Sequence, residues 1–504
     1  MTENGASFSP SLAVVAGVKN LKLKFAGEDA LLFKGVSLSF REGEKTLLLG
    51  PSGCGKSTLL QVLSGLIPRS IDVPMIADET VVPERWGYVF QDPDTQFCMS
   101  YMDEEIAFVL ENLRIPRDEM TPLIHRYLAQ VGLDLPDVHV PIHTLSQGMK
   151  QRLAIASVLA MEPEVIFLDE PTALLDTEGT ELVWSTIRSL SGDKTLIVVE
   201  HKIEGVIDFF DRVVVLSGDG AMIADGAPAE IFATMRNELQ QYGIWYPGVW
   251  EHYLEIKPRK KEAHLRHSND GRGVFLEMND FRGIRGSGRP VIEVGKALVA
   301  PGQWIGVIGN NGAGKSSLLL AIMRLIKTEG ICSIAGREID NVEQAAENVA
   351  FVFQNPEFQF VTHSVREEIE YSLLLDGMSS EKRRGIAEKL MDELYLREVT
   401  SRHPYQLSMG QKRRLSVATA IVRGQSLLLL DEPTFGLDAR NTFSLLEKLE
   451  RLRTEGTSII MVTHDERIVE NFCTESWTIE DGRLTDATDL SAQGNMASPR
   501  QSYA

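Results

Sequence analysis

The sequence predicts an α/β protein made of two tandem copies of one domain, on three observations. An apolar run at 45–49 leads into the glycine-rich loop Gly50-Pro51-Ser52-Gly53-Cys54-Gly55-Lys56-Ser57-Thr58, and the apolar run at 59–63 that follows fits the first turns of a helix. The same device returns as Gly309-Asn310-Asn311-Gly312-Ala313-Gly314-Lys315-Ser316-Ser317, between apolar runs at 304–308 and 318–322. Further landmarks then recur in one order at a nearly fixed offset. Lys56 and Lys315 are 259 positions apart (315 − 56), Gln91 and Gln354 263 (354 − 91), and Ser146 and Ser408 262 (408 − 146). Asp169 and Asp431 are 262 apart (431 − 169), and His201 and His464 263 (464 − 201). The drift is a loop insertion between the glycine loop and the glutamine.

In chain order, residues 1–240 form the first copy. Residues 18–25 alternate like an antiparallel strand, with 31–40 as partner. Residues 68–82 carry Pro, Ser and Asp and suit a loop with a short strand, and 86–90 is a buried strand ending at Gln91. From 103 to 133 the pattern turns helical, broken at Pro116 and Pro136, and reads as a helical subdomain inserted into the core. A helix follows over 146–159, then core strands at 165–168 and 195–199. A hairpin over 213–216 and 221–224 closes the copy. Residues 241–272 are a linker. Its aromatic residues Tyr242, Trp245, Tyr246 and Trp250 suit docking on a domain surface, and its basic run 257–272 suits a solvated connector. The sharper alternative for that run is contact with anionic lipid headgroups. The second copy spans 273–485, and the small, polar tail 486–504 is expected to be disordered.

Composition narrows the class. The chain has 504 residues, enough for about two to four domains. A net charge of −20 argues against nonspecific binding to duplex nucleic acid, so no nucleic-acid partner is expected. The four cysteines (Cys54, Cys98, Cys332, Cys473) form no CxxC pair, which suggests a reducing compartment and no structural zinc. No apolar run approaches the ~20 residues that cross a bilayer, and no signal peptide is evident. The expectation is a cytoplasmic chain that reaches a membrane only through a partner.

The landmarks have chemistry. Glycines let successive backbone N–H groups converge on an anion, and the helix start adds partial positive charge. Lys56 and Lys315 can reach phosphates; the Ser57 and Ser316 hydroxyls can sit on Mg²⁺. Asp169 and Asp431 end apolar strands and can hold the same Mg²⁺. Glu170 and Glu432, next in sequence, can orient and polarise a water beside the γ-phosphate. Gln91 and Gln354 can touch metal and water together. His201 and His464 can donate to the γ-phosphate. ATP and Mg²⁺ are therefore the expected cofactors. Ser146 with Gly148, and Ser408 with Gly410, each open a helix with a capping serine and a glycine that lets another backbone approach.

The order of glycine loop, glutamine, Leu-Ser-x-Gly, acidic strand end, Leu-Asp turn (Leu175-Asp176, Leu437-Asp438) and strand-end histidine resembles the ATP-binding-cassette ATPases. Both copies carry the set. Phe90-Gln91-Asp92-Pro93-Asp94-Thr95-Gln96-Phe97 and Phe353-Gln354-Asn355-Pro356-Glu357-Phe358-Gln359-Phe360 resemble the extended loop of energy-coupling-factor (ECF) transporter ATPases. The acidic helices at 103–108 and 366–371 do so too, and Gly65-Leu66-Ile67-Pro68 fits the fused form. The resemblance implies two RecA-like α/β cores, each with an antiparallel β subdomain and an inserted helical one. It also implies an ATPase motor of a membrane importer at the cytoplasmic face of the membrane. Its partners would be a transmembrane coupling subunit and a small substrate-binding membrane subunit. The solute would be a vitamin or precursor such as thiamine or hydroxymethylpyrimidine, or cobalt or nickel. The cassettes would pair head to tail, in one chain or between chains, so that Lys56 faces Ser408 and Gly410 while Lys315 faces Ser146 and Gly148.

Two departures stand out. Where the family has Leu-Ser-Gly-Gly-Gln, this chain has Gln147 and Met149 in the first copy and Met409 in the second. Gln147 places a side chain where close approach to phosphate is usual, so the Lys315 site is expected to be the weaker. Phe25 fits the family's adenine-stacking position, with Phe281 a looser counterpart; core packing is the competing reading for both. Two other functions stay open: a soluble tandem cassette acting on ribosomes or nucleic acid, and a fused sugar-importer ATPase. The short linker and acidic charge argue against the first, the extended glutamine loop against the second.

Overall fold

The structure is a computed structural model and describes residues 13–27, 30–173, 175, 177–201, 203–257, 274–286 and 288–490. Asp176, the basic run beyond 257 and the tail beyond 490 lie outside them. The chain divides into two compact units between Pro247 and Gly248.

The first unit begins with β1 (Val14–Leu23) and β2 (Phe33–Arg41), antiparallel as their alternation predicts. Next come β3 (Lys45–Leu49), α1 (Lys56–Leu63), α2 (Leu66–Arg69), β4 (Met75–Ile76), β5 (Glu79–Val81) and β6 (Trp86–Val89). β4 and β5 both pair with β1 and complete the antiparallel subdomain. α3 (Met102–Asn112) and α4 (Arg117–Gln130) form the helical insert; Leu113 caps the end of α3 and Pro116 the start of α4. α5 (Gln147–Ala160), β7 (Val165–Asp169), α6 (Thr177–Ser191), β8 (Thr195–Val199), β9 (Arg212–Leu216) and β10 (Met222–Gly226) complete the core. α7 (Pro228–Thr234) and α8 (Arg236–Tyr242) follow.

The six-stranded sheet runs β10-β9-β3-β8-β7-β6, parallel except for β10. Its central strands are buried on both faces, which is why they read as continuous Leu, Ile and Val. Leu59, Leu60, Val62 and Leu63 of α1 are fully buried with Leu21, Leu23, Phe33 and Phe40 of the antiparallel sheet and Phe167 and Ile197 of the parallel one. Each such side chain contributes about 1.5–3 kcal/mol, so α1 is firmly held where the glycine loop ends.

The second unit repeats the plan. Its strands are β11 (Leu276–Arg285), β12 (Arg289–Val299), β13 (Trp304–Ile308), β14 (Lys327–Ile334), β15 (Arg337–Glu338) and β16 (Val349–Val352), then β17 (Leu427–Asp431), β18 (Ser458–Val462), β19 (Glu475–Glu480) and β20 (Arg483–Asp489). A parallel pairing of Glu293 with Arg483 joins the two subdomains into one ten-stranded sheet. Helices Val365–Leu375 and Ser380–Glu393 form its insert.

Two segments differ from the sequence reading. The stretch taken for linker contains a helix, α9 (Val249–Ile256), that belongs to the second unit. Tyr253 stacks flat on Phe443 at 4.0 Å, and Trp250 meets Phe443 and Phe472 edge-on. Tyr253 also donates to Glu447 at 3.2 Å. The aromatic residues were read as docking groups, and buried Trp250 docks in that way. The last strand also continues to Asp489, because 486–489 pair with β19; the expected disorder from 486 gives way to strand there. Among the described residues no helix is long and apolar enough to cross a membrane.

Candidate functional site

Parallel strands point the same way, so the residues after each share one edge of the sheet. The glycine loop follows β3, His201 follows β8, Asp169 and Glu170 come at the end of β7, and Gln91 comes just after β6. Gly55 caps α1 at φ 98°, and a Cβ there would come 2.8 Å from the Phe33 ring. Gly314 plays the same part at φ 109°, where a Cβ would lie 2.7 Å from Val291 O. Lys56, buried, donates from Nζ to Gly50 O (2.8 Å) and Pro51 O (3.2 Å), which fixes the ammonium across its own loop. Lys315 does the same with Gly309 O (2.7 Å) and Asn310 O (2.9 Å).

In the first unit, Ser57 Oγ donates to Asp169 Oδ1 at 2.9 Å, and the Tyr88 hydroxyl donates to Asp169 Oδ2 at 3.0 Å. Burial and the neighbouring Glu170 push the Asp169 carboxyl up to about 6, against the pull of Ser57, Tyr88 and Lys56. Burial and Asp169 also raise the Tyr88 phenol, so it stays a donor. Gln91 Nε2 donates to Glu170 Oε2 at 2.7 Å, and His201 Nε2 lies 3.0 Å from Glu170 Oε1. Burial alone would raise Glu170, but His201 and Lys56 outweigh it and hold the group below the ordinary carboxylate range. Six predicted residues (Lys56, Ser57, Gln91, Asp169, Glu170, His201) therefore form one linked cluster.

The second unit assembles Lys315, Ser316, Asp431, Glu432 and His464. His464 Nε2 lies 3.1 Å from Glu432 Oε1, and Ser316 hydrogen-bonds Asp431. Burial raises Asp431, and Ser316, Arg413 and Lys315 oppose it. Asp431 Oδ1 is buried and meets no hydrogen-bond donor among the described residues. A buried acceptor of this kind beside a serine hydroxyl fits a hard divalent cation such as Mg²⁺. Gln354 is exposed.

Each serine-led helix is capped within its own first turn. Ser146 Oγ accepts from Met149 N (3.3 Å). Ser408 Oγ accepts from Gln411 N (3.4 Å) while Gln411 returns a bond to Ser408 N (3.0 Å), a complete capping box on the helix Met409–Ile421. A Cβ at Gly148 would meet nothing nearer than 3.8 Å, so its own unit does not demand a glycine there. Phe25 is 41% exposed, which rules out core packing for that ring, whereas Phe281 is fully buried and is a core residue.

Sequence reasoning missed several partners. Glu170 and Glu432 adopt left-handed backbone, at φ 49° and 52°. Non-glycine residues there cost about 1–3 kcal/mol and cluster at functional sites. The second glutamine of each extended loop ties that loop to the serine-led helix. Gln96 accepts from Phe90 N (3.3 Å) and donates to Ala154 O (3.2 Å); Gln359 accepts from Phe353 N (3.2 Å) and donates to Ser416 O (3.2 Å). Ion pairs Lys150–Asp94 and Lys412–Glu357 add to the tie. Buried Glu105 and Glu368 clasp the loop ends by accepting from Cys98 N and Met99 N, and from Val361 N and Thr362 N. Their recurrence at one offset was the available signal.

The family profile for ABC transporters matches residues 33–173 and 296–435, the glycine loop through the acidic strand end in each unit. This chain belongs to the ABC transporter family. It is a tandem ABC ATPase, and ABC domains bind ATP, generally with Mg²⁺. It is 34% identical, over 93% of its length and 90% of the relative's, to YkoD of Bacillus subtilis, provisionally named an HMP/thiamine import ATP-binding protein. It is 31% identical, over 93% of its length and 84% of the relative's, to a Methanosarcina acetivorans protein provisionally named an ABC transporter ATP-binding protein. Solved structures with a similar fold include an RNase-L inhibitor, at TM-score 0.60 and 20% identity over 93% of this chain and 90% of that one. An archaeal ribosome recycling factor, solved with a ribosomal stalk protein, reaches TM-score 0.61 at 20% identity, with the same coverage of both chains. At that identity the likeness shows the fold alone.

Proposed function

We propose that this ATPase is the motor of an ECF-type importer at the cytoplasmic face of the membrane, acting on a vitamin or precursor of the thiamine and hydroxymethylpyrimidine class. The observation that carries the reading is the match, across nearly all of both chains, to a relative named for HMP/thiamine import. The twice-built tie between extended loop and serine-led helix supports it. A partner pressing on the loop would move that helix with it.

Within each site, the chain's residues take distinct parts. The cradle lysines, Lys56 and Lys315, neutralise phosphate. Ser57 with Asp169, and Ser316 with Asp431, would hold Mg²⁺, with Gln91 and Gln354 as further ligands. Bound Mg·ATP supplies the anhydride whose cleavage drives the cycle. Glu170 stays ionised because His201 and Lys56 favour its charge, so it can accept a proton from an attacking water that Gln91 helps orient. Glu432 and His464 repeat that pair. The serine-led helix starts, Ser146 with Gly148 and Ser408 with Gly410, would each close on the cradle of the other cassette, in one chain or between chains. A glycine that its own unit does not require supports that use of Gly148. Phe25 would stack on adenine.

The test is fractionation with and without the transmembrane coupling subunit and the substrate-binding membrane subunit of an ECF importer. The chain should sediment with membranes only when those subunits are co-expressed. Cosedimentation with ribosomes and indifference to the membrane subunits would overturn the reading in favour of a ribosome-acting cassette.

A further inference from the structure

The two units support the strand-end carboxylates with different side chains. Residues 88 and 351 hold equivalent places: Tyr88 packs on Phe90 with ring centroids 4.5 Å apart, and Phe351 on Phe353 at 4.4 Å. Tyr88 donates its hydroxyl to Asp169 Oδ2. Phe351 has no hydroxyl, and Asp431 Oδ1 lies buried without a donor among the described residues.

The serine-led helices differ at a matching place. Gln151 Nε2 donates to Phe90 O at 3.5 Å, and Arg413 Nη1 donates to Phe353 O at 2.9 Å. These carbonyls precede Gln91 and Gln354. Arg413 is 2% exposed, and its Nε has no hydrogen-bond partner among the described residues. A guanidinium buried this far is costly unless opposite charge stands near. The charges it senses are those of Glu432 and Asp431; burial still lowers its pKa to about 10. Where the first unit has a hydroxyl and a neutral amide, the second therefore has a phenyl ring and a cation.

We propose that Arg413 is a positioning residue of the second ATP site, its charge doing for Asp431 and Glu432 what the Tyr88 hydroxyl does for Asp169 in the first. This rests on the reading of Asp169 and Asp431 as the Mg²⁺-side carboxylates. The inference predicts that the two solutions are interchangeable as pairs but not singly.

The test uses the full chain and steady-state ATP hydrolysis. Arg413→Gln should lower kcat at least about threefold with KM for Mg·ATP changed less than about twofold, because the bond Arg413 makes is to the Phe353 carbonyl and not to the cradle. Adding Phe351→Tyr to Arg413→Gln should restore at least half of the lost turnover. The reciprocal pair repeats the test: Tyr88→Phe should slow hydrolysis, and Tyr88→Phe with Gln151→Arg should recover it. A purely structural role for Arg413 would lower the melting temperature without rescue by Phe351→Tyr, and that result overturns the inference. If Arg413→Gln does not fold, the Tyr88 pair decides alone, and failure of Gln151→Arg to rescue sinks the proposal. If the unsubstituted chain shows no ATP turnover, the ATP-site reading falls and takes the proposal with it.

Discussion

The two cassettes of this chain share strand order, glycine cradle and acidic strand end, yet they differ at several side chains that support those parts. The first has Tyr88 bonded to Asp169, a neutral Gln151, a serine cap without a returning partner, and an exposed Phe25 in the turn after β1. The second has Phe351, a buried Arg413, a full capping box, and no aromatic residue in the sequence between β11 and β12. Duplication kept the groups placed to touch nucleotide and let their supports drift as long as charge and hydrogen bonding stayed balanced. The expectation that follows is two sites of one chemistry and unequal strength.

The largest effect that would sharpen this contrast is on stability. The Asp169 pKa, raised to about 6 from 3.8, means the folded state binds a proton more tightly than the unfolded one. Its penalty is therefore absent below about pH 4, grows as pH rises, and is complete above about pH 6, near 3 kcal/mol. In the nucleotide- and metal-free chain, Asp169→Asn should raise the melting temperature of its unit, by an amount that increases between pH 4 and pH 7. Asp431→Asn should gain less, because it strips buried Arg413 of a counter-charge. Equal gains, measured by calorimetry at several pH values, would break the comparison.

A smaller effect concerns the serine-led helix of the first unit. Gln147→Gly with Met149→Gln restores the family pattern and should raise turnover about three- to tenfold at the site it serves, or about 1 kcal/mol. The same helix starts differ in their caps. Ser408→Ala with Gln411→Ala removes both bonds of a capping box and should cost about 1 kcal/mol, whereas Ser146→Ala removes a single cap bond and should cost about half that. Denaturant midpoints would check the order.

Much of this was legible in the sequence because it is local. Gly50–Thr58 and its repeat declare themselves by spacing, strand ends carry Asp169, Glu170 and His201, and serine before an apolar helix announces a cap. What escaped depends on contacts far apart in the chain. Tyr88 meets Asp169 only because β6 lies beside β7, and nothing in Trp86–Val89 marks one residue as a donor. Arg413 reads as one more cation in Lys412-Arg413-Arg414, although it is nearly fully buried. The ring of Phe281 is inside because it shares one core cluster with Leu318, Leu319 and Ile322 of the helix Lys315–Ile322, a packing the sequence does not disclose. The helix Val249–Ile256 was taken for linker because a solitary turn of aromatic residues has no amphipathic length until Phe443 and Phe472 receive it.

The most direct test of unequal sites is to measure ATP turnover of Glu170→Gln and Glu432→Gln side by side in the full chain. Each substitution keeps shape and removes the carboxylate poised to take a proton from water. In the proposed head-to-tail pairing, Glu170 would belong to the site served by Ser408 and its intact capping box, and Glu432 to the one served by the helix carrying Gln147. The account predicts that Glu170→Gln removes the larger share of activity. Equal losses, or a larger loss from Glu432→Gln, would contradict it.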